Sequence, residues 1–130
     1  MRVLAIDHGA ARCGCALSDP SGTIARPIDP IEPTDSAAVP AIVAEHGVEL
    51  VVVGLPVSLG GEEGRQAAAA RDFAGELAGI LGVPVKTYDE RLTTKLAAAS
   101  RRGGSRAAED SLAAAHLLES FLHSREREAG

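Results

Sequence analysis

One stretch constrains this chain more than any other: Val3-Leu4-Ala5-Ile6-Asp7-His8-Gly9, an uninterrupted apolar run that ends in a carboxylate and a glycine. Apolar residues on both parities describe a strand covered on both faces, as in the central strand of a layered α/β domain. A second run of the same kind, Leu50-Val51-Val52-Val53, ends in Gly54-Leu55-Pro56. The segment between them contains a predicted helix, and a strand-helix-strand unit favours parallel pairing. Asp7 falls where the first buried strand reaches the surface. An ionised carboxylate there is costly unless it holds a cation, a metal ion or backbone donors. The plainer alternative is an Asp that accepts turn hydrogen bonds ahead of Gly9.

The remaining elements arrange themselves around these two strands. Arg12 to Ser18 alternates Cys13, Cys15 and Leu17 against Gly14, Ala16 and Ser18, and Asp19-Pro20-Ser21-Gly22 supplies a turn before Thr23-Ile24-Ala25. This predicts a three-strand meander. Arg26 to Ser36 carries Pro27, Pro30 and Pro33, which predicts a stiff irregular connection. A helix is expected from an Asp35 or Ser36 cap to Gly47, with Val39, Ile42 and Val43 on one side. After Pro56 the loop Leu59 to Gly64 leads to a helix start with Glu62 and Glu63 in its first turn. Such a loop either receives phosphate or simply connects. Phe73, Leu77, Ile80 and Leu81 mark the stripe of that helix, which stops at Gly82.

Val85 to Glu90 reads as a strand, and Lys86 within it predicts an outer position. By the pleat, Asp89 and Glu90 point opposite ways unless the strand ends between them. Thr93 or Thr94 is positioned to cap a short helix through Ala99, followed by the basic connection Arg101-Arg102-Gly103-Gly104-Ser105. The last helix is expected from about Ala107 to His123, its stripe being Ala114, Leu117, Leu118, Phe121 and Leu122. Asp110 stands one turn back on that stripe, facing the sheet. Ser124 to Gly130 reads as a frayed tail.

At 130 residues the chain is expected to form one domain, residues 1–130, with a single core. Hydrophobic residues make up 45% but aromatics only 2%, so the core must come from Val, Leu, Ile and Ala, and no aromatic platform is available for stacking bases. No apolar run approaches the ~20 residues of a membrane span, and Met1-Arg2 leads into the first strand without a signal-peptide pattern. These features predict a cytoplasmic protein with no membrane partner, a monomer or weak homodimer. Cys13 and Cys15, at i and i+2, suit reduced core residues better than a disulfide or a zinc site.

The net charge of −5 argues against a polyanionic partner, yet it hides a segregated block. Arg91, Lys95, Arg101, Arg102 and Arg106 fall in a stretch without acids, bracketed by Asp89-Glu90 and Glu109-Asp110. Basic residues gathered beside carboxylates suggest a phosphate-bearing ligand. Asp7, Asp89 or Glu90, and Asp110 are expected to reach one locus. Gathered carboxylates of this kind suit Mg²⁺ or Mn²⁺, and a pair of such ions ~4 Å apart supports phosphodiester hydrolysis.

Four groups of residues carry a family resemblance: Asp7-x-Gly9-x-x-Arg12-x-Gly14 with Ser18-Asp19; Gly54-Leu55-Pro56 followed by Gly61-x-x-Gly64; Asp89-Glu90-Arg91-Leu92-Thr93-Thr94; and Asp110-x-x-Ala113-Ala114. In this order the chain resembles the YqgF or RuvX family, candidate Holliday junction resolvases also described as pre-16S rRNA nucleases. The resemblance implies an α/β ribonuclease H-like fold, a mixed five-stranded sheet of three antiparallel then two parallel strands flanked by helices. It implies a metal-dependent nuclease centre at Asp7, the Asp89-Glu90 pair and Asp110. Glu90 is the favoured ligand because its longer side chain reaches from the strand end, whereas Asp89 suits Arg91 or the Thr93-Thr94 turn. Candidate nucleic-acid contacts are Arg12, Gly61, Gly64, Arg91, Lys95, Arg101, Arg102 and Arg106, the partner being precursor rRNA or branched DNA.

Two other classes stay open. Asp-x-Gly before a β-hairpin also begins actin-like and sugar-kinase ATPases, although those close two related domains over a nucleotide. A non-catalytic nucleic-acid-binding ribosome-assembly factor would keep the same fold without turnover.

Overall fold

The computed structural model describes residues 1–56, 64–92 and 111–129. Five strands form one sheet: β1 (Val3–His8), β2 (Cys13–Ser18), β3 (Ala25–Ile31), β4 (Leu50–Leu55) and β5 (Val85–Asp89), in the order β3-β2-β1-β4-β5. β1, β2 and β3 pair antiparallel, while β1–β4 and β4–β5 are parallel. Among the described residues three helices cover it: α1 (Ala38–His46), α2 (Arg65–Ile80) and α3 (Leu112–Ala129).

The two-fold period of the strands divides the core into two layers. Leu4, Ile6, Cys13, Cys15, Leu17, Val51 and Val53 pack with Val39 of α1 and with Ala70, Phe73 and Leu77 of α2. Val3, Ala5, Ala16, Leu50 and Val52 pack on the other side with Ala114, Leu117, Leu118 and Phe121 of α3. Leu4 and Ile6 are fully buried, and each such side chain is worth about 1.5–3 kcal/mol of burial. Buried Ala67, Ala70 and Ala74 bring α2 close to the sheet, which is how a core with few aromatics fills its volume. Both cysteines are free and buried. No helix among the described residues is long and apolar enough to cross a membrane.

The structure corrects several expectations. Thr23 and Ile24 belong to the turn: their N–H groups donate to the Asp19 carboxylate at 2.7 and 2.8 Å. The third strand therefore starts at Ala25 and continues through the segment expected to be irregular, Pro27 and Pro30 included. An edge strand needs backbone donors on one side only, so prolines are tolerated there. The strand also absorbs a register shift opposite Cys13 and Cys15. Neither Asp35 nor Ser36 caps α1 through its side chain. The first turn is tied instead by their carbonyls, which accept from Ala38 and Val39. Gly47 does end α1 in the left-handed conformation, φ 64°.

Helix α2 begins at Arg65 with no acid in its first turn, so Glu62 and Glu63 precede it. Its stripe passes from Leu77 to Leu81, which packs on the core, and leaves Ile80 exposed. The last helix continues to Ala129, beyond the expected end at His123. The Arg125 guanidinium lies 5.9 Å from the Phe121 ring and donates to Met1, contacts that fasten this turn to the body. The short helix expected from Thr93 or Thr94 to Ala99, the Arg101–Ser105 connection and the expected helix start at Ala107 lie outside the described residues.

Candidate active site

Asp7 is half-buried near the end of β1, opposite Gly14 on β2 and Gly54 on β4. It shares the α3 side of the sheet with Val3 and Ala5. The hairpin beyond it closes on itself: the Gly9 N–H donates to the Arg12 carbonyl at 3.1 Å, and a Cβ on Gly9 would sit 2.6 Å from that oxygen. The turn thus satisfies itself through its backbone, and the Asp7 carboxyl hydrogen-bonds to Glu90.

Glu90 reaches Asp7 because β5 stops at Asp89, where a 3-10 turn, Glu90–Leu92, begins. The break falls between the two acids and sends them to different partners. Asp89 turns outward and accepts the Arg91 backbone N–H at 2.9 Å and its guanidinium at 2.6 to 3.1 Å. Its hydrogen bonds to the Arg91 side chain and backbone hold its carboxyl below the usual range, and the same contact raises the Arg91 guanidinium. Glu90 turns inward. Burial first, then its hydrogen bond to Asp7 and the charges of Asp7 and Asp89, push its carboxyl up to about 8. At neutral pH Glu90 therefore keeps its proton beside the Asp7 carboxyl.

This donor set fits a divalent cation. Two hard carboxylate oxygens face each other in a half-buried place and hold a proton that a cation would replace. Among the described residues no three acid, His or Cys side chains form a metal cluster. Asp110, the third expected acid, lies outside the described residues. Its neighbour Ser111 is fully buried, accepting from the Cys15 N–H at 3.1 Å and donating to the Ile28 carbonyl at 2.5 Å. These bonds fasten the chain just ahead of α3 onto the β2–β3 pair.

The expected nucleic-acid contacts are less converged. Arg12 is exposed at the β1–β2 hairpin. Arg91 is exposed and engaged by Asp89. Gly64 is exposed and forms the extended N-cap of α2. Gly61, Lys95, Arg101, Arg102 and Arg106 lie outside the described residues. His8 belongs to the opposite face, its ring 4.9 Å from that of Phe73. Sequence reasoning gave no role to Gly54 or Ser111, which lie against the acid pair and next to Asp110. Gly54 stands out in the sequence as part of the Gly54-Leu55-Pro56 group and as the end of an all-apolar strand, Ser111 only as a serine directly after an acid.

A five-stranded mixed sheet flanked by helices, with an acid pair at the end of its central strand, defines a ribonuclease H-like protein. Two solved structures share the fold. The RuvC structure from Thermus thermophilus matches with a TM-score of 0.63 at 18% identity, covering 98% of this chain and 97% of that one. T. thermophilus RuvC in complex with a Holliday junction substrate matches with a TM-score of 0.61 at 20% identity over 97% and 96%. The chain belongs to the RuvX family, described as Holliday junction resolvase, whose model matches residues 1–124. A relative from Thermobifida fusca is 44% identical over 140 residues, 95% of this chain and 88% of its own. One from Pelotomaculum thermopropionicum is 40% identical over 144 residues, 100% and 94%. Both are named as candidate pre-16S rRNA nucleases.

Proposed function

We propose that this protein, as one nuclease domain spanning residues 1–130, is a cytoplasmic metal-dependent nuclease that hydrolyses phosphodiester bonds at the 5′ end of precursor 16S rRNA. The observation that carries the reading is the inward pairing of Glu90 with Asp7 in a member of the RuvX family. Asp7 and Glu90, with Asp110, would hold Mg²⁺ or Mn²⁺. Bound there, the metal supplies an activated water and charge stabilisation for the leaving oxygen.

The chain's own residues do the rest. Glu90 gives up its proton to present, with Asp7, an anionic oxygen pair. Asp89 holds Arg91 in a fixed orientation at the rim. Arg91, Arg12 and the basic run Lys95, Arg101, Arg102 and Arg106 bind the phosphate backbone, with Gly61 and Gly64 giving it close access. Such contacts position a strand without reading its bases. The names of the relatives support RNA as the substrate. The family description and the junction complex of the RuvC neighbour support a second reading, resolution of branched DNA. The protein is proposed to work as a monomer or weak homodimer.

The test is incubation of the purified protein with precursor rRNA carrying the 5′ leader and with four-way junctions, in Mn²⁺, in Mg²⁺ and in chelator. Leader cleavage that chelator and Asp7→Asn both abolish is the expected result. A folded protein that cuts neither substrate with either metal would remove the nuclease assignment, and faster cutting of junctions would transfer it to DNA.

A further inference from the structure

β4 reads Leu-Val-Val-Val-Gly-Leu, and its glycine is out of character. A central strand prefers β-branched residues, and glycine in a strand interior weakens it. Positive φ does not explain the choice, because among the described glycines only Gly22 and Gly47 have it. Space does. Gly54 lies between Asp7 on β1 and Tyr88 on β5. A Cβ on it would meet Glu90 Oε1 at 2.8 Å, Leu117 Cδ2 at 2.9 Å and Glu90 Cγ at 3.2 Å.

At 2.8 and 2.9 Å both Glu90 and Leu117 must shift to admit a Cβ, and Glu90 has far the greater freedom to move. Leu117 is 1% exposed within the α3 layer, and Val52 and Ala5 belong to the same packed cluster. Tyr88, next to Gly54 on β5, is held by the Ser120 hydroxyl at 2.9 Å and by an edge-on contact with Phe121 at 5.6 Å. Glu90 is a longer side chain on a 3-10 turn at the sheet edge. A methyl group at position 54 would therefore displace the Glu90 carboxyl.

We propose that Gly54 is a positioning residue, whose missing Cβ lets Glu90 lie across β4 and meet Asp7. Its consequence for metal binding rests on the nuclease reading above, whereas the placement of Glu90 does not. In Gly54→Ala the Glu90 carboxyl leaves Asp7, and the affinity for Mn²⁺ falls by at least about tenfold, the usual cost of disturbing residues that support metal ligands. Val53→Ala is the control. Val53 belongs to the layer on the opposite side of the sheet, so its loss lowers thermal stability and leaves Mn²⁺ affinity unchanged.

The experiment combines a metal-free crystal structure of Gly54→Ala with Mn²⁺ titration calorimetry of the parent and both variants. A Glu90 carboxyl still hydrogen-bonded to Asp7 in Gly54→Ala, with Mn²⁺ affinity within about twofold of the parent, overturns the proposal. A parent that binds no Mn²⁺ refutes the metal reading instead, and the crystal structure still decides the role of Gly54. Should Gly54→Ala not fold, Gly54→Ala combined with Glu90→Ala removes the Oε1 and Cγ contacts and is expected to fold. Failure of that double variant would put the obstruction at Leu117 and also overturn the proposal.

Discussion

Replacing Glu90 by Gln should make the metal-free protein more stable at neutral and mildly alkaline pH. The unfolded chain releases the Glu90 proton near 4.5, whereas the folded protein keeps it to about 8. Across that window the folded state binds the extra proton, so stability falls as pH rises through it and levels off above. The full displacement corresponds to at most about 5 kcal/mol. Glu90 is only half-buried, and solvent screening brings the expected loss to about 2 kcal/mol. The Gln amide donates to Asp7 as the protonated carboxyl does and cannot ionise, so this component of the pH dependence disappears. Urea unfolding in chelator at about pH 5, 6, 7 and 8 measures it, and the difference between the two proteins cancels the histidines. The curves should meet near pH 5 and separate by about 2 kcal/mol near pH 8, with Glu90→Gln the more stable. Parallel curves would refute the reasoning, since Glu90 would then ionise alike in the folded and unfolded states. Saturating Mn²⁺ should reverse the slope in the parent alone, because the ion binds the deprotonated pair.

Other measurements address the neighbouring residues. Asp89→Asn should lower the melting temperature slightly and leave cleavage largely intact, since Asp89 faces Arg91; complete loss of cleavage in a folded Asp89→Asn protein would reassign the ligand. Replacing Arg101, Arg102 and Arg106 by Ala should weaken nucleic-acid binding without changing Mn²⁺ affinity. The slope of log K against log salt should become shallower by up to about 0.9 per lost duplex contact, and an unchanged slope would move the backbone contacts to Arg12 and the Gly61–Gly64 loop. Burial pushes the thiols of Cys13 and Cys15 up to about 11 and about 12. Both should therefore resist a disulfide reagent at pH 8 in the native protein and react fully in denaturant; rapid native reaction would show the β2 core to be open.

Burial on both faces leaves little room for polar side chains, and that is why β1 and β4 could be read from single stretches. The same logic separated the layers of α3, where Ala114, Leu117, Leu118, Phe121 and Leu122 are all buried. Edges carry less information. Pro27 and Pro30 are equally compatible with an irregular connection and with an edge strand, and only the pairing of Ala25 to Ile31 with β2 decides between them. Helix ends carry little information for a related reason. Ile80 is the last residue of α2 and Leu81 its extended C-cap, so Leu81 reaches the core from outside the helix, and the stripe alone does not set that end to within one residue.

Asp7 and Glu90 were legible as candidates because a carboxylate at the end of a buried strand demands a partner. Which acid of the Asp89-Glu90 pair turns inward depended on a break in β5 that adjacent residues cannot announce, since both lie in a stretch of alternating character. The break matters because Glu90 opens the 3-10 turn directly after β5, where the pleat no longer sets its direction, and its side chain comes back from an outer strand over β4. Nothing local to Glu90 records that path. Its trace is at Gly54, more than thirty residues earlier, where β4 forgoes a β-branched side chain that every strand propensity would favour. Local sequence rules fail at that glycine because its conformation is ordinary and its reason is another residue's carboxylate. A glycine that interrupts a central strand without a bulge or a positive φ therefore points to the side chain lying across it, here Glu90 on its way to Asp7.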